Sequence, residues 1–468
     1  MQSTRLEHDF LGERAIPDDV YYGIQTLRAL ENFNITGIPL HAEPLFVEAL
    51  AHVKKAAALA NRDLGVLDPA LADYIARACD RVAAGTLNTH FPTDMIQGGA
   101  GTSVNMNANE VIANVALELM GKRKGDYDFC HPNNHVNCSQ STNDAYPTAF
   151  RIALNKKLVG YRKALELLAD AFAQKGEEFR NVLKMGRTQL QDAVPMSMGD
   201  EFHAFATNLR EELLRIDDSR TLIREINMGA TAIGTRVNAP TGYAELVTEH
   251  LRTITGLDLV LAGDLIEATY DTGAYVQLSG VLKRTAVKLS KICNDLRLLS
   301  SGPRAGFFEI NLPPLQPGSS IMPGKVNPVV PEVVNQTAFY VIGADLTVTM
   351  AAEAGQLQLN VMEPVISFAL FTSISYLTRA CHTLCDKCVV GITANAERAE
   401  QLVRNSVGIV TQLNPILGYE ATAEIAKEAL RTGKSVYDIA VVERRLLTQA
   451  KWEEVFTFEN LIRPHFIQ

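Results

Sequence analysis

Between about residues 145 and 395 the chain is written as a succession of long segments with helical periodicity and very few breakers inside them. After Gly199 the apolar residues Phe202, Phe205, Leu209, Leu213 and Ile216 recur every three or four positions, which marks one stripe of a helix. Leu278, Leu282, Ala286, Leu289, Cys293, Leu296 and Leu299 form a second stripe. Segments of this length are the rods of a helical bundle, and their stripes read as core. A mainly α fold is therefore expected, with a central bundle over 142–395, a mixed but mainly helical N-terminal part over 1–141 and a small helical C-terminal part over 396–468. Helices are also expected from Glu43 to Leu64 and from Pro69 to Ala84.

The charge balance narrows the function. Forty-four basic residues against 53 acidic ones give a net charge of −9, and no basic run could track a phosphate backbone, so nucleic acid is excluded as a partner. No apolar stretch reaches the ~20 residues a membrane-spanning helix needs, and the polar first residues lack the apolar centre of a signal peptide. A cytoplasmic protein without a membrane partner is the expectation. Seven cysteines are too few and too scattered for a disulfide framework, so reduced thiols are expected. Cys381, Cys385 and Cys388 are spaced as one buried helix face would space them, and core packing is preferred to a metal site.

Polar residues and glycines gather in the breaks: Gln97 to Asn109, His131 to Asp144, Gly186 to Pro195, Met228 to Pro240 and Gly302 to Pro331. Function usually sits on such segments. Gly318 to Pro328 is the most informative, because two glycines and two prolines make a loop that can move and close while carrying Ser319, Ser320, Lys325 and Asn327. A cation, hydroxyls and an amide together suit an anionic substrate. His131 and His135 lie in another break without a carboxylate pattern beside them and receive no role, and no metal or cofactor is expected.

The ten residues from Gly318 to Asn327 resemble the signature loop of the aspartase/fumarase superfamily: glycine-serine, two residues, methionine, two residues, lysine, one residue, asparagine. Gly98 to Ser103 running into Asn105 to Glu110, Ser139 to Asp144, and Gly186 to Ala193 are similar to its other blocks. The resemblance implies a three-domain, mainly α protomer whose central helices build a twenty-helix homotetramer core, with each active site assembled from three protomers. It also implies a cofactor-free lyase acting on L-aspartate and fumarate. Carried over by position, Ser319 is the catalytic base. Thr102, Ser141, Thr142 and Ser320 hold the β-carboxylate, Thr188, Lys325 and Asn327 hold the α-carboxylate, and Asn143 faces the amino group.

Within the superfamily a carbon–nitrogen lyase is favoured over a fumarate hydratase. Ser141-Thr142-Asn143 stands where hydratases usually read serine-serine-asparagine, Val329-Val330-Pro331-Glu332 follows the loop, and Gln189 stands where hydratases have histidine. A non-catalytic structural protein is the remaining alternative, which the presence of both Ser319 and Lys325 opposes. No Ala-Ser-Gly tripeptide is present to form the electrophile used by lyases of aromatic amino acids.

Overall fold

The computed structural model describes residues 3–462, and most of them are helical. A hairpin of β1 (Thr4–Asp9) and β2 (Gly12–Pro17) leads into α1 (Ile24–Asn32), α2 (Pro44–Asp63), α3 (Pro69–Ala83) and α4 (Thr102–Leu119). Next come α5 (Thr142–Glu178), β3 (Leu183–Thr188), β4 (Gln191–Ser197) and α6 (Met198–Ile223). The chain continues through β5 (Glu225–Ile226), α7 (Tyr243–Thr255), β6 (Val260–Leu261), α8 (Glu267–Tyr270) and α9 (Gly273–Leu299). β7 (Ile310–Asn311), α10 (Val329–Glu353), α11 (Glu363–Lys387) and β8 (Thr393–Ala394) follow. Short helices close the described chain: α12 (Ala396–Asn405), α13 (Asn414–Leu417), α14 (Tyr419–Thr432), α15 (Gln449–Val455) and α16 (Phe458–Ile462). The strands pair only in twos, β5 with β6 in parallel and the other pairs antiparallel.

The mainly α class expected from the sequence is the one observed, and the reasons are local. Pro44 and Pro69 open α2 and α3, where a missing N–H removes no helical bond, and Asp68 caps α3 by accepting from the amides of Ala70 and Leu71. Both helices end within a residue of the expected positions. At 37 residues, α5 is a rod of ~55 Å. Both apolar stripes fall inside single helices, α6 and α9, with every stripe residue buried.

The break expected at Gln97 to Asn109 runs into a helix, and the one at Gly186 to Pro195 is a hairpin. Residues 102–109 form the first half of α4, where buried Asn105, Asn107, Asn109 and Glu110 stand in place of an apolar stripe and so conceal the periodicity. Gly186 to Pro195 lies within the β3–β4 hairpin, whose second strand opens with exposed Gln191 and Asp192 and shows too little apolar alternation to read as sheet.

The chain forms two compact units. The first comprises Met1–Arg162, Leu214–Arg284 and Phe339–Leu377, and the second Lys163–Leu213, Thr285–Ala338 and Thr378–Gln468. The first is centred on Phe46, Tyr146, Phe150, Tyr275 and Phe371, with Phe150 4.7 Å from Tyr275 and 5.2 Å from Phe371 between ring centres. In the second, Met185 of β3 packs with Ile409, Ile425, Ile439 and Trp452 of the C-terminal helices, which anchors the hairpin from beneath. Phe150→Ala is expected to destabilise the protein by ~3–5 kcal/mol, the usual range for an aromatic cavity. Calorimetry should show a clearly lower melting temperature, whereas Phe10→Ala, at a side chain 96% exposed, should leave it unchanged.

Candidate active site

The candidate residues divide between the two units: Thr102, Ser141, Thr142 and Asn143 lie in the first, and Thr188, Gln189, Ser319, Ser320, Lys325 and Asn327 in the second. In the first unit they cluster at two helix N-termini, where unpaired amides and the helix dipole favour negative charge. Thr102 opens α4 behind Gly101, whose φ of 91° and closeness to the Tyr146 ring leave no room for a Cβ. The Thr102 hydroxyl is exposed and donates to the Gly99 carbonyl at 2.7 Å.

Thr142 opens α5, and its Oγ1 accepts from Asn105 Nδ2 at 3.1 Å, which links the starts of α4 and α5. Ser141 Oγ accepts from the Asn143 amide at 3.2 Å. Asn143 Nδ2 donates to the Ala232 carbonyl at 2.7 Å, which leaves its Oδ1 as an acceptor. Pro147, with no N–H, frees the Asn143 carbonyl from its helical bond, and Asn227 Nδ2 supplies a donor at 3.0 Å. A cavity of about 350 Å³ beside these residues is lined by Ser141, Asn137, Gln140, Thr231, Ala232 and Asn238.

Asp144 lies beneath this group, fully buried. Its Oδ1 accepts from the Ser141 amide at 2.9 Å, and its Oδ2 from the amides of Gly229 at 3.1 Å and Thr231 at 2.9 Å. Burial pushes its carboxyl up to about 6, against these hydrogen bonds and the charge of Lys54. Lys54 is also fully buried, and its Nζ donates to Asn105 Oδ1 at 2.5 Å, Asn137 Oδ1 at 3.0 Å and Gln140 Oε1 at 2.9 Å. Burial draws its ammonium down to about 7, with Asp144 opposing.

In the second unit Gln189 and Leu190 form the two-residue tip of the β3–β4 hairpin, with φ of 55° and 62°. Two positive-φ residues make a type I′ connection, which glycine or asparagine usually fills, so neither side chain here is chosen for conformational ease. Below the tip, Arg187 pairs with buried Glu309 at 2.8 Å and lies 4.2 Å from the Phe307 ring centre. On β4, Asp192 accepts from Ser406 Oγ at 2.6 Å. Thr188 and Gln189 are thus exposed on a hairpin fixed from both sides.

The signature loop closes on itself. The Gly318 amide donates to the Lys325 carbonyl at 2.7 Å, and Asn327 Nδ2 donates to the Gly318 carbonyl at 2.7 Å. A Cβ at Gly318 would come within 2.9 Å of both partners. Ser319 Oγ accepts from the amides of Ile321 at 3.2 Å and Met322 at 3.0 Å. Ser320, Lys325 and, at 84% exposure, Ile321 stand outward. Lys325 and Asn327, with Glu332, Arg297 and Asn311, line a cavity of about 750 Å³ that Ser319 does not line.

His131 and His135 use their rings in their own turn: His131 Nδ1 accepts from the Asn133 amide at 3.0 Å, and His135 Nδ1 from the His131 amide at 2.8 Å. Among the described residues no group of three or more His, Cys, Asp or Glu side chains could hold a metal ion. Cys381, Cys385 and Cys388 are buried and unbridged, in keeping with core packing. The sequence reading missed Lys54 and the supporting part of Asp144. Lys54 stands in the α2 stripe of Phe46, Leu50, Ala57 and Asn61, and a lysine in a core register was the available signal.

Residues 12–343 match the family described as Lyase, and residues 409–463 match the one described as Fumarase C C-terminus. The chain belongs to the Lyase family. Aspartate ammonia-lyase from Helicobacter pylori is 59% identical over 461 residues, covering 98% of each chain. Aspartate ammonia-lyase from Escherichia coli is 57% identical over 465 residues, covering 99% of this chain and 97% of that one. Among solved structures, a fumarate lyase:delta crystallin from Brucella melitensis bound to cobalt has a TM-score of 0.95 at 54% identity, covering 98% of this chain and 99% of that one. Class II fumarase from Schistosoma mansoni has a TM-score of 0.93 at 36% identity, covering 99% and 100%. These solved lyases thus share the fold.

Asp144→Asn puts an amide donor where one carboxylate oxygen now accepts. One of the facing amides then loses its partner, at ~1–3 kcal/mol for a buried group. The remaining oxygen stays with the two amides of Gly229 and Thr231, so hydrogen exchange at Ser141 should accelerate, while exchange in the β3–β4 hairpin of the other unit should stay unchanged.

Proposed function

We propose that this chain is an aspartate ammonia-lyase, interconverting L-aspartate with fumarate and ammonia. The observation that carries the reading is the 57–59% identity to aspartate ammonia-lyases along 98–99% of this chain. The chemistry asks for a base at the carbon next to the β-carboxylate and for donors around the doubly charged aci-carboxylate formed when the proton leaves. The C–N bond then breaks, its electron pair leaves with nitrogen, and fumarate remains.

Ser319 is the proposed base. A free serine hydroxyl is too weakly acidic to ionise at neutral pH, so it needs help from its surroundings. The two amides donating to Ser319 Oγ favour an alkoxide, and Lys325 in the same loop adds positive charge. Thr102, Ser141, Thr142 and Ser320 are assigned to the β-carboxylate, and Thr188, Lys325 and Asn327 to the α-carboxylate. The free Oδ1 of Asn143 suits the amino group as acceptor. We further propose that the chain works as a homotetramer with sites shared among three protomers. Phe339, Leu346 and Met350 support this, lying at spacings of seven and four on α10 with exposures of 62%, 61% and 63%. In Ser319→Ala, turnover of L-aspartate should fall at least ~1,000-fold while binding of the non-reacting dicarboxylate succinate persists. Mixing that variant with inactive Thr102→Ala under subunit exchange should restore activity; exchange without restoration argues for sites built within one chain.

Fumarate hydration is the second reading, favoured by the likeness to class II fumarase at 36% identity. Gln189 speaks against it. Hydroxide must be protonated as it leaves, and a glutamine cannot titrate, whereas ammonium departs as neutral ammonia and needs no added proton. L-aspartate should therefore be deaminated at least ~1,000-fold more efficiently than L-malate is dehydrated, a gap of ~4 kcal/mol. Absorbance at the fumarate band, with each substrate in its own cuvette, decides the matter, and comparable rates would overturn the assignment.

A further inference from the structure

An ammonium ion can only donate hydrogen bonds, so every amide that touches it must present its oxygen. Lys54, fully buried in α2, is met by three such amides: Asn105 on α4, and Asn137 and Gln140 just ahead of α5. With three acceptors around it, the nitrogen has the surroundings of an ammonium rather than of a neutral amine. The opposite end of each amide is fixed in turn. Asn137 Nδ2 donates to the Gln140 carbonyl at 3.1 Å, and Gln140 Nε2 to the Val136 carbonyl at 2.9 Å. Asn105 Nδ2 reaches Asn137 Oδ1 and Thr142 Oγ1, both at 3.1 Å. A threonine hydroxyl that already accepts a bond has its single hydrogen left to give.

We propose that Lys54 is a positioning residue for catalysis: it sets the direction of the Asn105 amide, which makes the Thr142 hydroxyl a donor to a substrate carboxylate. This rests on the reading above, in which Thr142 holds the β-carboxylate. Lys54 touches no substrate and acts through two intervening side chains. Asp144, accepting from the Ser141, Gly229 and Thr231 amides, holds the start of α5 so that the hydroxyl stays in place. Without the cation, the Asn105 amide could turn its oxygen toward Thr142. The hydroxyl would then donate inward and present only lone pairs to an anion.

The decisive variant is Asn105→Asp. It leaves Lys54 a partner of the same shape but replaces the donor at Thr142 by an acceptor, so the hydroxyl turns inward. The probe is succinate, read as its inhibition constant against L-aspartate. Asn105→Asp should weaken succinate by about tenfold to a hundredfold, the loss of one hydrogen bond to a charged group, while the bond it also loses to Asn137 Oδ1 is read separately as a lower melting temperature. Thr142→Val should weaken it similarly, and the double variant should be within about twofold of Thr142→Val alone, because both changes remove one donor. Lys54→Met should raise the KM for L-aspartate and the succinate constant together. Should it fail to fold, the Asn105 and Thr142 cycle still decides. Losses that multiply in the double variant, or Asn105→Asp binding succinate like wild type, would overturn the proposal. A wild-type protein that neither turns over L-aspartate nor binds succinate would instead sink the functional reading, and the proposal with it.

Discussion

A buried polar group must find a partner or its desolvation is lost to stability, and α4 concentrates that demand in one helix. Asn105, Asn107, Asn109, Glu110 and Asn114 are all buried along its length. Each has at least one partner in another segment of the chain. Asn107 donates to the His90 carbonyl and Asn114 to the Tyr21 carbonyl, while Glu110 accepts from Gly23, Gln25 and Thr26 at the start of α1. Asn105 and Asn109 both reach Asn137 in the stretch before α5. An apolar helix would pack here in several registers, whereas these bonds form in one. The position of Thr102 at the end of α4 follows from that register.

On the function proposed above, the same network explains how two helix starts would hold a carboxylate with hydroxyls rather than with a cation. Helix N-termini offer partial positive charge at no cost in side-chain entropy, and Thr102, Ser141 and Thr142 add hydroxyls to it. Each hydroxyl is oriented by what it already touches, the Gly99 carbonyl, the Asn143 amide and the Asn105 amide respectively. The exposed cation is placed elsewhere, on the loop of the second unit, where Lys325 stands on a segment closed by Asn327 and Gly318. On the function proposed above, fixed donors in one unit and a charged, glycine-bearing loop in the other are the two kinds of group that a reaction passing through a dianion needs.

Much of this is legible in the amino-acid sequence. The rods α6 and α9 are visible because Phe202 to Ile216 and Leu278 to Leu299 keep an unbroken apolar stripe of 3.6-residue period, although Glu212, Ser279, Thr285 and Ser290 are buried beside it. α4 is not, because its core positions carry asparagines, and a period built on partnered amides does not register as hydrophobic. The β3–β4 hairpin was read as a loop because its geometry depends on tertiary anchors, Arg187 to Glu309 and Ser406 to Asp192, more than a hundred positions away in sequence. Lys54 escaped for a related reason: a lysine in a helix is usually solvated, and only the meeting of Asn105, Asn137 and Gln140 around it shows that it is not. The motif blocks marked where chemistry concentrates; they could not show which side chains orient the others.

The hairpin tip brings stability and function into opposition. Gln189 and Leu190 both hold positive φ, where side chains with a Cβ are disfavoured by ~1 kcal/mol or more each. An asparagine-glycine pair would relieve that strain and keep the turn. The hairpin bears it because its two strands are clamped by Glu309 and Ser406 and seated on the C-terminal core through Met185. A tip free of constraint would relax or pair differently, whereas a tip held from both sides can carry whatever side chain its surroundings need. On the function proposed above, glutamine at 189 serves through its amide, which both donates and accepts, and the rigid base beneath it lets a poor turn residue hold that place.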